Sequence, residues 1–311
     1  RRGRPREQAP GFQRHDHGID TRTRIAVSPE DDIELRRITL TNRTGSRRRL
    51  ALTTFTELVL TRRADADAHP GFNKLFIETE YVPGPQALLA RRRARAPDEH
   101  PPTFLHVIGM RGATVGDASF ETRRDVFLGR SGSRRAPAAL APGAALAGGI
   151  GAVLDPAFAL RREVTLEPGA SATFDVVFGA AADRAGAIAL AERYADRHLG
   201  ARVFDLAWTR AQVIRYQSNL SAKDIRVLAQ LAAPLAYPDP SLHPPGSPVP
   251  EAGQSGLWKF GISGDLPIVL VRIGSLAEIA LAGQALQAHR FWSLHGLAHD
   301  LVIWNEDPSG Y

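Results

Sequence analysis

Polar and apolar residues alternate in a series of short runs between residues 19 and 179, and this alternation predicts β-strands. In residues 19–27, β-branched side chains at odd positions alternate with mostly charged ones, the period of a strand with one buried face. Six later runs are also rich in Thr, Val, Phe and Ile: IELRRITLTN (33–42), LALTTFTELVL (50–60), FNKLFIETEYV (72–82), FLHVIGM (104–110), FALRREVTL (158–166) and ATFDVVFG (172–179). Turn signals separate the runs, so the pattern predicts an antiparallel β-sandwich.

After residue 180 the apolar residues recur with the period of α-helices. Asp183 is placed to cap a first helix that stops near Gly200, and a second helix is predicted over residues 203–219. Ser221 and Asp224 match the capping-box pattern, with Asp in place of Glu, and open a third helix. The predicted sandwich is therefore followed by a helical region.

Six prolines between residues 238 and 250 predict an extended linker, and residues 276–294 predict a further amphipathic helix. Residues 131–150 are rich in Gly, Ala, Pro and Ser and predict a long loop. The stretch after the linker is short for a core of its own, so we expect its domain to be incomplete at Tyr311. The predicted parts are a β-sandwich domain over 1–180, truncated at its start, a helical linker and proline-rich joint over 181–250, and a truncated domain over 251–311.

Composition narrows the choice of partners. The formal net charge is +6, but 36 of the 39 basic residues are arginines spread along the chain, which indicates composition bias more than a nucleic-acid surface. The chain has no cysteine, so disulfides and thiolate metal sites are excluded. The amino-terminal RRGR is followed by polar sequence, which is unlike a signal peptide.

Two histidine pairs have spacings that could suit a metal. His15 and His17 would share one face of a strand, yet no third ligand of clear spacing lies near them. His295 and His299 are four residues apart, but Gly296 and the strand-like run that follows argue against a helix there. We therefore expect an exposed strand start at the first pair and no metal site at either.

Two further motifs are weak by themselves. Asp65, Asp67 and His69 resemble the acidic pair of some sugar transferases, but they precede Pro70 in a predicted loop, outside any nucleotide-binding context. The glycines of residues 261–264 have neither the spacing of a dinucleotide fingerprint nor that of a phosphate-binding loop. Neither motif predicts a nucleotide site.

The stretch LWKFGISGDLPI (257–268) allows two interpretations. It can be a glycine turn with Asp265 as a cap and Trp258 in the core. It can also be a saccharide site, because an aromatic ring covers the apolar face of a sugar and a carboxylate accepts hydrogen bonds from paired hydroxyls. Gly264 would then let the backbone approach the ligand closely.

Several motifs together resemble the carboxy-terminal region of bacterial cyclic β-1,2-glucan synthases, which is similar to the phosphorylases of glycoside hydrolase family 94. The motifs keep the same order and spacing from about Arg14 to Tyr311. They are VSPEDDIELRRITLTNRT (27–44), HPGFNKLFIETEY (69–81), FETRRDVFLGR (120–130), GAVLDPAFALRREVTLEPG (151–169), LWKFGISGDLPIVLVRI (257–273) and HGLAHDLVIWNE (295–306).

The resemblance implies a β-sandwich, a helical linker and the beginning of an (α/α)6 barrel. It implies phosphorolysis of a β-glucosidic bond with inversion, or the reverse reaction, with inorganic phosphate as co-substrate and no metal or other cofactor. An Asp would act as the general acid, and the resemblance implies that it lies beyond Tyr311, so this chain would hold no catalytic residue and would be inactive by itself. The cut barrel would expose apolar surface over residues 266–273.

The resemblance also implies site residues. Asp265 falls on the position that binds sugar hydroxyls in related phosphorylases. Lys259 stands where those enzymes often have Arg, and a Lys is a point charge rather than a fork, so that contact cannot be carried over unchanged. Trp258 is a candidate sugar platform, and Arg130 lies in a sandwich loop that would reach the active site.

The resemblance leaves three functions open. The first is part of the phosphorylase-like domain of a cyclic β-1,2-glucan synthase that adjusts glucan chain length. The second is a stand-alone β-glucan phosphorylase of the cellobiose or β-1,2-oligoglucan type, and the third is a non-catalytic carbohydrate-binding module. The first places the chain on the cytoplasmic side of a bacterial inner membrane, in a parent with membrane-embedded domains and a β-glucan oligosaccharide as partner; a homodimer stays open.

Overall fold

The computed structural model describes residues 11–111, 114–130, 132–195, 199–237, 241 and 253–306. The chain divides into two compact units, one up to Trp208 and one from Thr209 onwards, and the division falls inside a helix. The proline-rich joint predicted from the sequence lies outside the described residues. The predicted domain limits stay predictions.

The amino-terminal unit contains a large antiparallel sheet. Strand β11 (Ser171–Ala181) lies near its centre and pairs with β3 (Ile33–Asn42) on one side and β7 (Thr103–Arg111) on the other. In spatial order the described strands are β1 (Gly11–Asp16), β2 (Ile19–Val27), β3 (Ile33–Asn42), β11 (Ser171–Ala181), β7 (Thr103–Arg111), β6 (Ala87–Arg92), β5 (Ile77–Val82) and β9 (Gly151–Ala152).

A smaller antiparallel sheet packs on one face of the large one. Its strands are β4 (Arg48–Glu57), β10 (Pro156–Leu166) and β8 (Thr114–Arg123) in spatial order, with β10 central. The apolar side chains of both inner faces form one core, which includes Phe158 and Leu160 from β10 and Phe174 and Val176 from β11. The predicted antiparallel sandwich is thus confirmed.

Helices cover the other face of the large sheet. Helices α4 (Arg184–Ala195) and α5 (Leu199–Ser218) follow the last strand, and their apolar residues form a second core with Leu35, Leu105 and Val177. Asp183 begins α4 as predicted, because its Oδ1 accepts a hydrogen bond from Gly186 N at 2.7 Å.

A buried ion pair on the helix-covered face sets where α5 begins. Both guanidinium nitrogens of Arg37 that face Asp175 donate to its carboxylate, each at 2.7 Å. Gly200 lies so close that a Cβ there would overlap the Asp175 carboxylate and the Arg37 guanidinium. The first turn of α5 can therefore approach the sheet only with a glycine at this position.

The structure corrects the predictions for residues 63–74. The run 72–82 was expected to be one strand, but only its second part is β5, because α2 (Pro70–Lys74) precedes it. The motif of Asp65, Asp67 and His69 was placed in a loop, and this is wrong: its acidic residues lie on α1 (Arg63–Ala68). Proline at the first helical position has no amide hydrogen to satisfy, so Pro70 starts α2 without cost.

Several described strands were missed, among them β6, β1 and β8. Strand β6 has the sequence ALLARR and is buried on both faces, so it shows no alternation. Strands β1 and β8 are polar and carry little apolar pattern. The loop predicted over residues 131–150 is mostly irregular, with one short 3-10 helix at Ala138–Leu140.

The carboxy-terminal unit pairs two helices with a two-stranded sheet. Helix α6 (Ala222–Ala236) starts with the predicted capping box of Ser221 and Asp224. Strands β12 (Ile268–Ile273) and β13 (Asp300–Asn305) are parallel, joined by α7 (Ile279–Leu294) as a crossover. Trp292 on α7 is buried, and its indole N–H donates to the Leu228 carbonyl of α6 at 2.9 Å.

His106 is a fully buried imidazole between the sheets. Its Nδ1 donates to the carbonyl of Val177 at 2.9 Å, so its Nε2 accepts from the Thr54 hydroxyl at 2.7 Å. Its ring stacks on Phe178 with the centroids 4.2 Å apart. Burial lowers the pKa of His106 from 6.5 to about 4, and the positive charge of Arg36 adds to that direction, while the hydrogen bond to Val177 opposes it.

We expect this histidine to weaken the fold in acid. Between its unfolded pKa of 6.5 and its folded pKa of about 4, the unfolded chain binds a proton that the folded chain refuses. The free energy of unfolding therefore falls as the pH falls through this window, by roughly 3 kcal/mol. Urea unfolding of the wild type and of His106→Gln from about pH 7 to pH 4.5 measures the difference. Equal losses of stability in the two proteins would contradict it.

Candidate functional site

The stretch that the sequence singled out forms a compact loop. Residues Gln254–Phe260 make a 3-10 helix, and Gly261 ends it in the left-handed conformation at φ 73°. The Gly261 amide donates to the Leu257 and Trp258 carbonyls. Glycine is the residue that takes this conformation without strain, which explains the first glycine of the motif.

Asp265 is held by the start of the same loop. The side-chain amide of Gln254 donates to Asp265 Oδ1 at 2.9 Å and to the Ser263 carbonyl at 2.9 Å. Gly264 has φ 76°, and a Cβ there would lie 2.8 Å from Gln254 Cγ. The second glycine thus allows both the turn and the close approach of Gln254. Gln254 contacts one carboxylate oxygen of Asp265, and the other oxygen has no partner among the described residues.

Aromatic rings and a cation lie on the same loop as that carboxylate. Trp258 is 64% exposed and Phe260 is 68% exposed, and the Trp258 indole N–H donates to the Ser263 carbonyl at 3.3 Å. Lys259 Nζ lies 4.9 Å from the centroid of the Phe260 ring. The interpretation that placed Trp258 in the core is wrong. The loop instead presents an exposed indole, an ammonium group and a carboxylate.

Arg130 lies in the amino-terminal unit, in an exposed turn after α3 (Arg124–Leu128). The Phe127 ring of α3 stacks on Phe55 with centroids 4.5 Å apart. Gly129 has φ 81°, and a Cβ there would lie 2.6 Å from the Ala138 side chain. The turn that carries Arg130 is therefore packed on the end of the smaller sheet by the residues that precede it.

A chain of four charged side chains lies at the same end of the sheet. Asp155 accepts from Lys74 Nζ at 2.5 Å and from Arg124 Nη1 at 3.1 Å, and Arg124 Nε donates to Glu57 at 2.7 Å. The hydrogen bond to Glu57 raises the pKa of Arg124, and the charges of Glu57 and Asp155 add to this. We call these four residues the charge network.

Sequence reasoning missed the charge network as a unit, because its members are far apart along the chain. Lys74 and Asp155 are 81 residues apart, and Glu57 and Arg124 are 67 apart. One signal was present: Lys74, Arg124 and Asp155 each fall within one of the family-like motifs. Only the pairing of β4, β8 and β10 brings these motifs to one place.

The structure does not assemble a metal site from the histidine pairs. His15 bonds to Asp20 Oδ1 at 2.6 Å, and His17 follows the strand in a turn at φ 48°. His299 Nε2 lies 2.9 Å from Nδ1 of His289 on α7, so the ring of His299 is bonded to His289 rather than to His295. Within the described ranges, no group of three or more His, Asp or Glu side chains is arranged to hold a metal ion.

The two glycines of the loop provide a matched stability test. We expect Gly264→Ala to lower the free energy of unfolding of the carboxy-terminal unit more than Gly261→Ala, because only the first also forces Gln254 away. Both carry the cost of a left-handed Ala, and overpacking adds about 1–3 kcal/mol at Gly264. Hydrogen exchange of loop and β12 amides measures the effect.

Gly261→Ala is the control, since a Cβ there meets nothing within 4 Å. Equal loss of protection in the two variants would show that the loop is open around Gln254. It would contradict the packed arrangement that holds Asp265.

Comparisons with known proteins place the chain in a family. The model of the family described as glycosyl hydrolase 94, supersandwich domain, matches residues 7–197. The cyclic beta-(1,2)-glucan synthase NdvB of Rhizobium meliloti (strain 1021) is 33% identical over 289 residues, which are 92% of this chain and 10% of that protein. The solabiose phosphorylase of Paenibacillus borealis is 27% identical over 164 residues, 53% of this chain and 20% of that protein.

The chain thus spans about a tenth and a fifth of the lengths of these two relatives. Among solved structures, a polysaccharide lyase aligns with a TM-score of 0.35 at 13% identity, covering 59% of this chain and 23% of that one. Within the part that the structure describes, no helix is both long and apolar enough to cross a membrane. The matched region is the two-sheet sandwich with its covering helix α4, and the chain belongs to the glycosyl hydrolase 94 supersandwich family.

Proposed function

We propose that the chain is part of an enzyme that acts on β-glucans by phosphorolysis or its reverse. One observation carries the proposal: the Trp258–Asp265 loop presents an exposed ring and a carboxylate that the described residues satisfy on one oxygen only. Membership of the family and the names of the two relatives, a glucan synthase and a phosphorylase, support it.

The geometry of the loop suits a sugar ligand. The free oxygen of Asp265 can accept a charge-assisted hydrogen bond from a sugar hydroxyl, and the exposed indole of Trp258 can cover an apolar sugar face. Lys259 adds a mobile positive charge in place of a forked arginine. We assign these three residues and Gly264 to substrate binding, and we keep Arg130 as a candidate for a loop that reaches an active site.

The chemistry needs one proton donor and inorganic phosphate. The phosphate attacks the anomeric carbon with inversion while an Asp protonates the leaving oxygen, so a second catalytic carboxylate is not required. We propose that this Asp belongs to an (α/α)6 barrel that begins at the carboxy-terminal unit and continues in a longer gene product. The reaction uses no metal or organic cofactor, and this chain without the Asp is inactive.

The relative named as a cyclic β-1,2-glucan synthase supports a role in glucan chain-length control. The parent would then carry membrane-embedded domains, with this region on the cytoplasmic side. The relative named as a solabiose phosphorylase supports a second candidate, a stand-alone disaccharide or β-glucan phosphorylase. Reading the gene on both sides separates them, because only the first carries transmembrane segments and a nucleotide-sugar transferase domain.

We expect the longer gene product to release glucose 1-phosphate from linear β-1,2-glucan in the presence of phosphate. Asp265→Ala should lower that rate by at least about 100-fold, because the reacting sugar loses a positioning hydrogen bond. Enzymatic detection of glucose 1-phosphate measures both rates.

The exposed carboxylate of Asp98, in the other unit, gives a control, and Asp98→Ala should leave the rate unchanged. Near-normal turnover by Asp265→Ala would show that this aspartate only supports the turn. If no β-glucan is cleaved with phosphate, and the chain nevertheless binds glucans, the non-catalytic binding module replaces the enzyme.

A further inference from the structure

A cavity of about 470 Å³ lies beside the end of β6 and is lined by four arginines. Arg91, Arg92 and Arg93 follow one another along the chain at this point, and Arg184 of α4 and His100 complete the basic part of the lining. All of these residues belong to the amino-terminal unit. Ligand pockets commonly measure roughly 300–1,000 Å³, so the volume suits a small molecule. We call it the arginine cavity.

Arg92 lies deepest among these arginines and is only 8% exposed. Its guanidinium donates to the backbone carbonyl of Asn73 at 3.0 Å and to the Asn73 side-chain oxygen at 3.1 Å, and it forms no ion pair within the described residues. Both acceptors are neutral, whereas buried charges are normally paired with an opposite charge. Burial lowers the pKa of Arg92 and the charge of Arg95 adds to this, while Glu99 and Asp65 oppose it. An anion that reaches this guanidinium would therefore be stabilising.

A second guanidinium is held near the first by one aromatic ring. Arg92 Cζ lies 5.2 Å from the centroid of the Phe76 ring, and Arg93 Cζ lies 5.6 Å from the same centroid. Arg93 also donates to the Leu75 carbonyl at 3.1 Å, which fixes its direction. Two like charges in contact with one ring repel each other, and an anion between them would offset this cost.

The carboxylate that the three consecutive arginines share is that of Glu78. It lies 3.5 Å from Arg91 and 3.8 Å from Arg93. Both contacts are longer than the roughly 2.7–3.2 Å of an ordinary hydrogen bond, so neither guanidinium is firmly held by it.

The other charged residues of the lining are engaged elsewhere. Glu99 accepts a hydrogen bond from the Arg95 amide at 2.5 Å, and Asp183 caps α4. Arg184 binds Glu80 through two of its nitrogens. The three consecutive guanidinium groups are therefore left with more positive charge than the carboxylates around them balance.

We propose that the arginine cavity binds a phosphate group, with Arg92 at its base and Arg91 and Arg93 at its sides. A guanidinium fork matches two phosphate oxygens, and the two negative charges of a phosphate monoester suit several guanidiniums better than the single charge of a carboxylate does. The phosphate can belong to a soluble monoester or to a lipid headgroup, which offer the same chemistry. The assignment goes beyond the proposed function and does not depend on it.

The 311-residue chain is used for the test. Isothermal titration with inorganic phosphate and with methyl phosphate, at an ionic strength held constant with chloride, measures the Kd of each. Methyl phosphate carries no sugar, so the loop around Asp265 cannot account for its binding. We expect the wild type to bind both probes saturably.

Arg91→Gln should raise both Kd values by about tenfold, because one charge-assisted hydrogen bond is lost. Arg92→Lys should raise them at least as much, since an ammonium cannot replace the fork that holds Asn73 and phosphate together. If circular dichroism shows that Arg92→Lys does not fold, Arg91→Gln decides.

Arg47→Gln is the matched control. Arg47 is 70% exposed and lies 3.4 Å from Glu167, much as Arg91 is 57% exposed and lies 3.5 Å from Glu78. The two variants therefore remove the same charge from similar loose pairs, and Arg47→Gln should change the Kd values less than about twofold. Equal weakening in both variants would show attraction by overall charge and would overturn the proposal.

Sedimentation with phosphatidylcholine vesicles, with and without phosphatidic acid, separates the two sources of the phosphate. Binding to phosphatidic acid that Arg91→Gln weakens would identify a lipid headgroup as the ligand, and binding of the soluble probes alone would identify a soluble monoester. If neither the soluble probes nor the vesicles show binding that depends on Arg91 or Arg92, the arginines are structural and the proposal is wrong.

Discussion

Burial of both faces of the large sheet is the constraint on which the amino-terminal unit depends. Strand β11 carries Phe174 and Val176 into the core between the sheets and Val177 into the core under the helices. A strand with two buried faces has no place for an unpaired charge, so Asp175 must be matched by Arg37. The close packing around that pair in turn requires Gly200 where α5 begins.

The same arrangement leaves the strand ends as the place where binding residues can lie. The middles of the strands are committed to packing, so variable chemistry is left to the connections. One end of the smaller sheet gathers α1, α2, α3 and the residues that precede β10, where the charge network and the Arg130 turn lie. A half-buried network suits such a place, since removing one partner leaves another charge unmatched.

The carboxy-terminal unit is stabilised in a different way. Its core around Ile214, Phe291 and Trp292 is small, and apolar side chains such as Leu270 and Leu276 are exposed at 50% and 80%. The loop that we assign to sugar binding is stabilised by local hydrogen bonds and two left-handed glycines rather than by burial. Exposed aromatic rings beside a carboxylate are what a saccharide site needs, and they are costly in a surface without a ligand or partner.

The sequence by itself determined the sandwich, the helices after it, the caps at Asp183 and Ser221 and the glycine turn before Asp265, because these depend on periodicity and on contacts between near neighbours. It misread residues 70–74 and missed β6, since a short helix and a strand buried on both faces lack the expected alternation. Only the tertiary structure decided that Trp258 is exposed and that Lys74, Arg124 and Asp155 meet. Such contacts join segments tens of residues apart, and strand pairing alone sets which charges become neighbours.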